Sequence, residues 1–149
     1  MFIKTLCLIS VLLTTSLVAN TSQISAAPSP NTTLLIKNIR TVKGTLFIAA
    51  YDTKKDWLKE GKESVAIQER VLTKPAQEVH LYIPKGHYAL TLYHDENNNG
   101  KMDKKRLVIP KEPYGVSNNK IRKFAPPSFK QNLVEISPSN NYFEIELYL

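Results

Sequence analysis

Residues 86–103 read GHYALTLYHDENNNGKMD, and this stretch decides the fold. Tyr88, Leu90 and Leu92 alternate with Ala89, Thr91 and Tyr93. A period of two marks a strand with one buried face. The strand then runs into a polar segment dense in Asp and Asn with a single glycine, which must turn the chain. Upstream, Pro84-Lys85-Gly86 is a second turn, and before it Val79, Leu81 and Ile83 alternate with His80 and Tyr82.

The same period recurs outward in both directions. Residues 34–39 alternate, and Gly44 opens TLFIAAY at 45–51, an apolar strand expected to be covered on both faces or nearly so. Residues 65–72 alternate imperfectly. At the C-terminal end Phe143, Ile145, Leu147 and Leu149 alternate with Tyr142, Glu144, Glu146 and Tyr148. Those four apolar residues need a core, which predicts an internal or well-paired strand. The helical candidate is residues 54–60, around Trp57 and Leu58. It is too short to stand alone and is expected to cap one end of a sheet. Residues 97–130 are poor in alternation and rich in Pro, Gly and Asn, a long loop of the kind that carries function. Short strands separated by turns predict an all-β fold, an antiparallel β-sandwich of about seven strands.

Composition agrees with one globular domain: 149 residues, 42% hydrophobic and 22% charged. A single cysteine excludes an internal disulfide framework and a Cys-rich zinc site. Lys4 followed by the apolar run of residues 6–13 has the form of a secretory signal peptide, too short for a membrane span. Residues 1–27 are therefore assigned to the signal peptide and the start of a linker, 28–31 to the linker, and 32–149 to a single β-sandwich domain. The protein is expected to be exported, periplasmic or secreted, and not membrane-spanning after cleavage. The full chain carries a formal charge of +7, and loss of Lys4 leaves +6. Such a charge suits acidic envelope polymers or phospholipid headgroups. No nucleic-acid motif accompanies it, and export argues against that partner.

The polar segment after the central strand carries the chemistry. Asp95, Asn97, Asn99 and Asp103 stand at positions one, three, five and nine of a calcium loop, with Gly100 at six and the Lys101 carbonyl at seven. Position twelve is Arg106, not glutamate, and the flanks read as strand, so this is not an EF-hand. Two readings stand: a weak calcium site, and a metal-free turn held by Asx side chains. Glu112 is placed to supply the missing carboxylate, or to pair with a lysine. Adjacent strand residues point to opposite faces, so His94 and Asp95 are poorly placed to act together; His94 is expected to bond a backbone carbonyl.

Residues 109–118, IPKEPYGVSN, complete the pattern. Together the two segments resemble the uncharacterised exported bacterial family called domain of unknown function 2141. Gly86, Tyr88, Ala89, His94, Asp95, Asn97, Asn99, Gly100, Asp103, Ile109, Pro110, Glu112, Tyr114, Gly115, Ser117 and Asn118 match its motif, while Val108 and Val116 replace its glycine and phenylalanine. The resemblance implies export and a prealbumin-like or immunoglobulin-like sandwich, with no established activity. His94, Glu112, Tyr114, Ser117 and Asn118 are candidate ligand or support residues. Tyr93 and Tyr114 could form an aromatic wall for a small ligand, and Trp57 caps the core. Ser117 lacks the G-x-S-x-G setting of a nucleophile.

Two functional classes follow. One is a non-catalytic envelope module that binds an envelope component or small ligand. The other is a small hydrolase using His94, Asp95 and Glu112. Export predicts cleavage between Ala19 and Ala27, and mass spectrometry of the mature protein reads its first residue. Retention of Met1 in a cytoplasmic protein overturns it.

Overall fold

The computed structural model describes residues 29–106, 109–122 and 125–149. The expected signal peptide and Val108 lie outside them. Ten strands follow in chain order: β1 (Thr32–Lys37), β2 (Thr45–Tyr51), β3 (Val65–Arg70), β4 (Ala76–Leu81), β5 (Gly86–Asp95), β6 (Lys104–Lys105), β7 (Ile109–Pro110), β8 (Tyr114–Val116), β9 (Leu133–Ile136) and β10 (Tyr142–Glu146). The fold is all-β, as the alternation predicts.

β5 is the organising strand. One edge pairs antiparallel with β2 along Ala89–Asp95. The other edge is shared end to end by β9, against residues 86–89, and β8, against residues 91–93. With β3 outside β2, these form a five-stranded sheet. A three-stranded sheet, β10-β1-β4, faces it. Leu46, Ile48, Leu90 and Leu92 from the first meet Leu34, Ile36, Val79 and Ile145 from the second in one core. Each such side chain removed from water contributes about 1.5–3 kcal/mol.

Four expectations need correction. β1 pairs with β10 in parallel, Thr33 to Tyr142 through Lys37 to Glu146, so the sandwich is not wholly antiparallel. β10 is an edge strand, well paired with β1 as expected, and Phe143, Ile145 and Leu147 are buried; Leu149, expected in the core, is exposed. The Asn119 side chain satisfies the outer edge of β10, accepting from the Glu146 amide at 2.8 Å and donating to the Glu144 carbonyl at 3.1 Å. Residues 54–60 form turns, not a helix. Leu58 takes a φ of 60°, which a right-handed helix cannot hold. Trp57 nonetheless caps the outer face of the larger sheet. Its ring meets Tyr51 and Phe129 edge-on, and its Nε1 donates to the Pro127 carbonyl at 2.8 Å. The stretch 97–130 likewise carries β6, β7 and β8, not loop alone.

Gly44 sits where β2 begins, at φ 76°. A Cβ there would lie 2.0 Å from the Asp95 carbonyl oxygen. The missing side chain lets the end of β5 close against the start of β2. Gly44→Ala should therefore cost roughly 2–4 kcal/mol in thermal melts, strain and clash combined. Gly61→Ala, at a similar φ of 71° but with open space around it, should cost about 1 kcal/mol. Equal costs would show that the close approach to Asp95 is unimportant.

Candidate functional site

The site is built where β5 ends. Alternation turns His94 inward and Asp95 outward, and both are sealed from solvent. The His94 Nε2 contacts the Lys43 carbonyl at 2.6 Å. A carbonyl only accepts, so Nε2 carries the proton. His94 does bond a backbone carbonyl, but one on the approach to β2, not in its own loop. Its Nδ1 has no hydrogen-bond partner among the described residues.

Asp95 organises the loop through its two oxygens. Oδ1 accepts from the Asn99 amide at 3.2 Å and Oδ2 from the Gly100 amide at 2.8 Å. Asn97 and Asn99 each accept, through Oδ1, from the N–H two residues on, both at 3.0 Å. Their Nδ2 groups converge on Asp103 Oδ2, at 2.9 and 3.0 Å. Thr45 ties the loop to β2 by donating to Asn98 Oδ1 at 3.0 Å. Gly100 takes a φ of 76° at the turn. The structure thus brings Asn97, Asn99 and Asp103 to one point, while the Lys101 side chain stays exposed.

Glu112 closes the site from behind. It is 4% exposed, and its Oε2 accepts from the Asp103 amide at 3.2 Å. Its Oε1 has no donor among the described residues. The alternative of a lysine partner is not what the geometry shows: among the described residues no ion pair involves Asp95, Asp103 or Glu112. Burial pushes the Glu112 carboxyl above its ordinary value of 4.5. The Asp103 N–H pulls it down, and the Asp95 and Asp103 charges push it up again. Nearby, burial with help from Asp95 and Glu112 raises the Tyr93 hydroxyl to about 12. No three His, Cys, Asp or Glu side chains among the described residues gather with the geometry to hold a metal by themselves. A cation here would need asparagine and carbonyl oxygens as well.

The remaining candidates sit elsewhere. Ser117 Oγ donates to the Asn132 carbonyl and accepts from the Leu90 amide at 3.1 Å. Asn118 Nδ2 bridges the Gln131 and Leu133 carbonyls. Both residues hold the connection between β8 and β9. Asn132 itself is fully buried and bonds Lys120 and Ser128. It was not readable as important, because an isolated asparagine in a polar stretch carries no pattern. Tyr114 stands opposite Tyr93 across the strands, but Tyr93 stacks on Phe47, centroids 4.9 Å apart and 4° from parallel. That ring face is closed to a ligand.

Residues 34–144 match the family described as "Uncharacterized protein conserved in bacteria (DUF2141)". The chain belongs to this family. Its matched span runs from β1 to β10 and includes every candidate residue of the site. No curated protein and no solved structure matches the chain.

A raised carboxyl pKa means that the folded state holds the proton more tightly than the unfolded chain. The ionised Glu112 therefore costs stability above its folded pKa, and that cost is relieved as pH falls through this pKa towards 4.5. Glu112→Gln, with chelator present, should be more stable than the parent at neutral pH by about 1 kcal/mol, because the amide can donate to Asp95. That is a shift of a few degrees in Tm. The two proteins should converge as pH falls. A variant less stable at neutral pH would refute the uncompensated buried charge.

Proposed function

We propose that the protein is a non-catalytic exported module of the cell envelope, a binding or structural domain whose working feature is a weak calcium loop at residues 95–103. One observation carries this reading: Asp95 and Glu112 are both buried at the loop, and among the described residues neither has an ion-pair partner. Buried carboxylates are costly unless they share a proton or gain a cation. Calcium accepts six or more oxygens in flexible geometry. Asp95, Asn97, Asn99, Asp103 and the Lys101 carbonyl would hold it, with Glu112 in place of the carboxylate absent at Arg106, once the three carboxylates move together from positions in which they form no metal-holding group. The asparagines now turn Nδ2 towards Asp103; calcium would require them to present Oδ1, at the expense of two Asx-turn bonds. Affinity should therefore be low, on the order of 0.1–1 mM.

The hydrolase reading lacks such support. His94 is fully buried, committed to Lys43, and on the opposite face of β5 from Asp95. Ser117 spends its hydroxyl on backbone partners.

Calcium at ten times its dissociation constant should stabilise the fold by about 1.4 kcal/mol, read as a rise in Tm, and magnesium should substitute poorly. Asp95→Ala should abolish the gain. If that variant unfolds, Asp103→Asn serves in its place, with a reduced gain on an intact fold. Glu112→Gln should melt higher than the parent without calcium yet gain less from it. A melt indifferent to calcium leaves the loop a structural Asx turn and overturns the proposal.

A further inference from the structure

The chain's positive charge is not spread evenly. Residues 101–130 hold nine of its 20 basic residues and two of its 13 acidic ones. That surplus of seven equals the formal charge of the whole chain, and the remainder is balanced at eleven of each sign. Five of the nine stand close together: Lys101, Lys104, Lys105, Arg106 and Lys111, all exposed. The acid among them, Asp103, is turned onto Asn97 and Asn99. Among the described residues none of the five forms an ion pair. Their mutual repulsion is left uncompensated, although acidic residues are plentiful elsewhere in the chain.

The same segment carries an apolar side chain in the open. β6 and β7 form a two-stranded ribbon of their own, pairing Lys104 with Pro110 and Lys105 with Ile109. Cross-strand partners share a face, so Ile109, 53% exposed, stands beside Lys105. Charge alone would suit any polyanion. An exposed isoleucine among lysines gains only where an apolar phase lies directly beneath the anionic groups, which is the layering of a phospholipid surface.

We propose that the β6–β7 ribbon docks the domain on anionic phospholipid, with Lys104, Lys105, Arg106 and Lys111 on headgroup phosphates and Ile109 seated at the boundary with the acyl chains. The contact is peripheral and reversible, since one isoleucine and a few charges cannot anchor a protein permanently. It uses residues outside the calcium loop and does not depend on that reading.

The test is sedimentation of the mature protein with vesicles, in chelator. One set is phosphatidylcholine alone, and the other holds equal parts of phosphatidylcholine and phosphatidylglycerol. Binding is expected on the second set alone, weakening as salt shortens the screening length. Lys104→Ala with Lys105→Ala should weaken it about 25-fold, at about fivefold per surface charge. Ile109→Ser should weaken it about tenfold without changing charge. Lys54→Ala with Lys55→Ala, in the balanced part of the chain, should leave it unchanged. Each variant's melting curve confirms its fold, and all these substitutions are at exposed positions. Absence of binding, equal binding to both vesicles, or an equal loss in the Lys54 and Lys55 control overturns the proposal. An Ile109→Ser variant that binds as well as the parent also overturns it, and assigns the patch to a soluble polyanion instead.

Discussion

The contact between the last residues of β5 and the first of β2 is the constraint on which the rest of the molecule depends. The buried His94 ring donates to the Lys43 carbonyl, and the Asp95 carbonyl presses against Gly44, where no side chain fits. The two interactions fix where β5 stops. They also fix the direction in which Asp95 points, because adjacent strand residues face opposite ways. Once Asp95 is set, its two oxygens gather the Asn99 and Gly100 amides, and the loop as far as Asp103 follows. The site is thus an extension of strand geometry, held from the core side by a histidine that solvent does not reach.

Electrostatics divides this end of the molecule into two layers. Acidic groups are inside: Asp95 and Glu112 are buried, and Asp103 is half-buried on its asparagines. Basic groups are outside, on the ribbon and its flanks. A mixed surface would let each lysine neutralise a neighbouring carboxylate at little cost. Here, among the described residues, Asp95, Asp103 and Glu112 form no ion pair with the lysines around them. The inner charges remain available to a proton or cation, and the outer ones to an anion.

Much of this was legible in the residues. Alternation in the runs around 34–36, 79–83 and 88–92 gives strands whose buried faces are those observed, because a half-buried strand has to show period two; the run 45–51 reads as covered on both faces, yet Thr45, Phe47 and Ala49 are only half-buried. The spacing of Asp95, Asn97, Asn99 and Asp103 marks the loop in the residues, but not that the last three side chains meet while Asp95 takes the Asn99 and Gly100 amides. What failed depends on distance along the chain or on a single backbone angle. Residues 54–60 have helical composition, but Leu58 adopts a left-handed conformation and Trp57 is drawn to Tyr51 and Phe129. Nothing local distinguishes a strand that pairs in parallel, so β10 was readable as a strand but not as the neighbour of β1. His94 announces that it needs an acceptor, yet Lys43, 51 residues away, carries no sign of being it. Glu112 is a similar case: its place near the loop is readable, but not that its Oε2 accepts from the Asp103 amide.

The parallel pair of β1 with β10 has a consequence for how the protein is made. β1 is the central strand of its sheet, with β4 on one edge and β10 on the other. Its contacts with β10 join residues near 35 to residues near 144, which is almost the longest separation the described chain allows. Such contacts close late and slowly, since chain entropy must be lost before they form. A chain still emerging from a ribosome therefore holds β1 with one bare edge, unable to complete its smaller sheet. Delayed closure of this kind leaves one edge of β1 open to pairing until the C-terminal strand has been made.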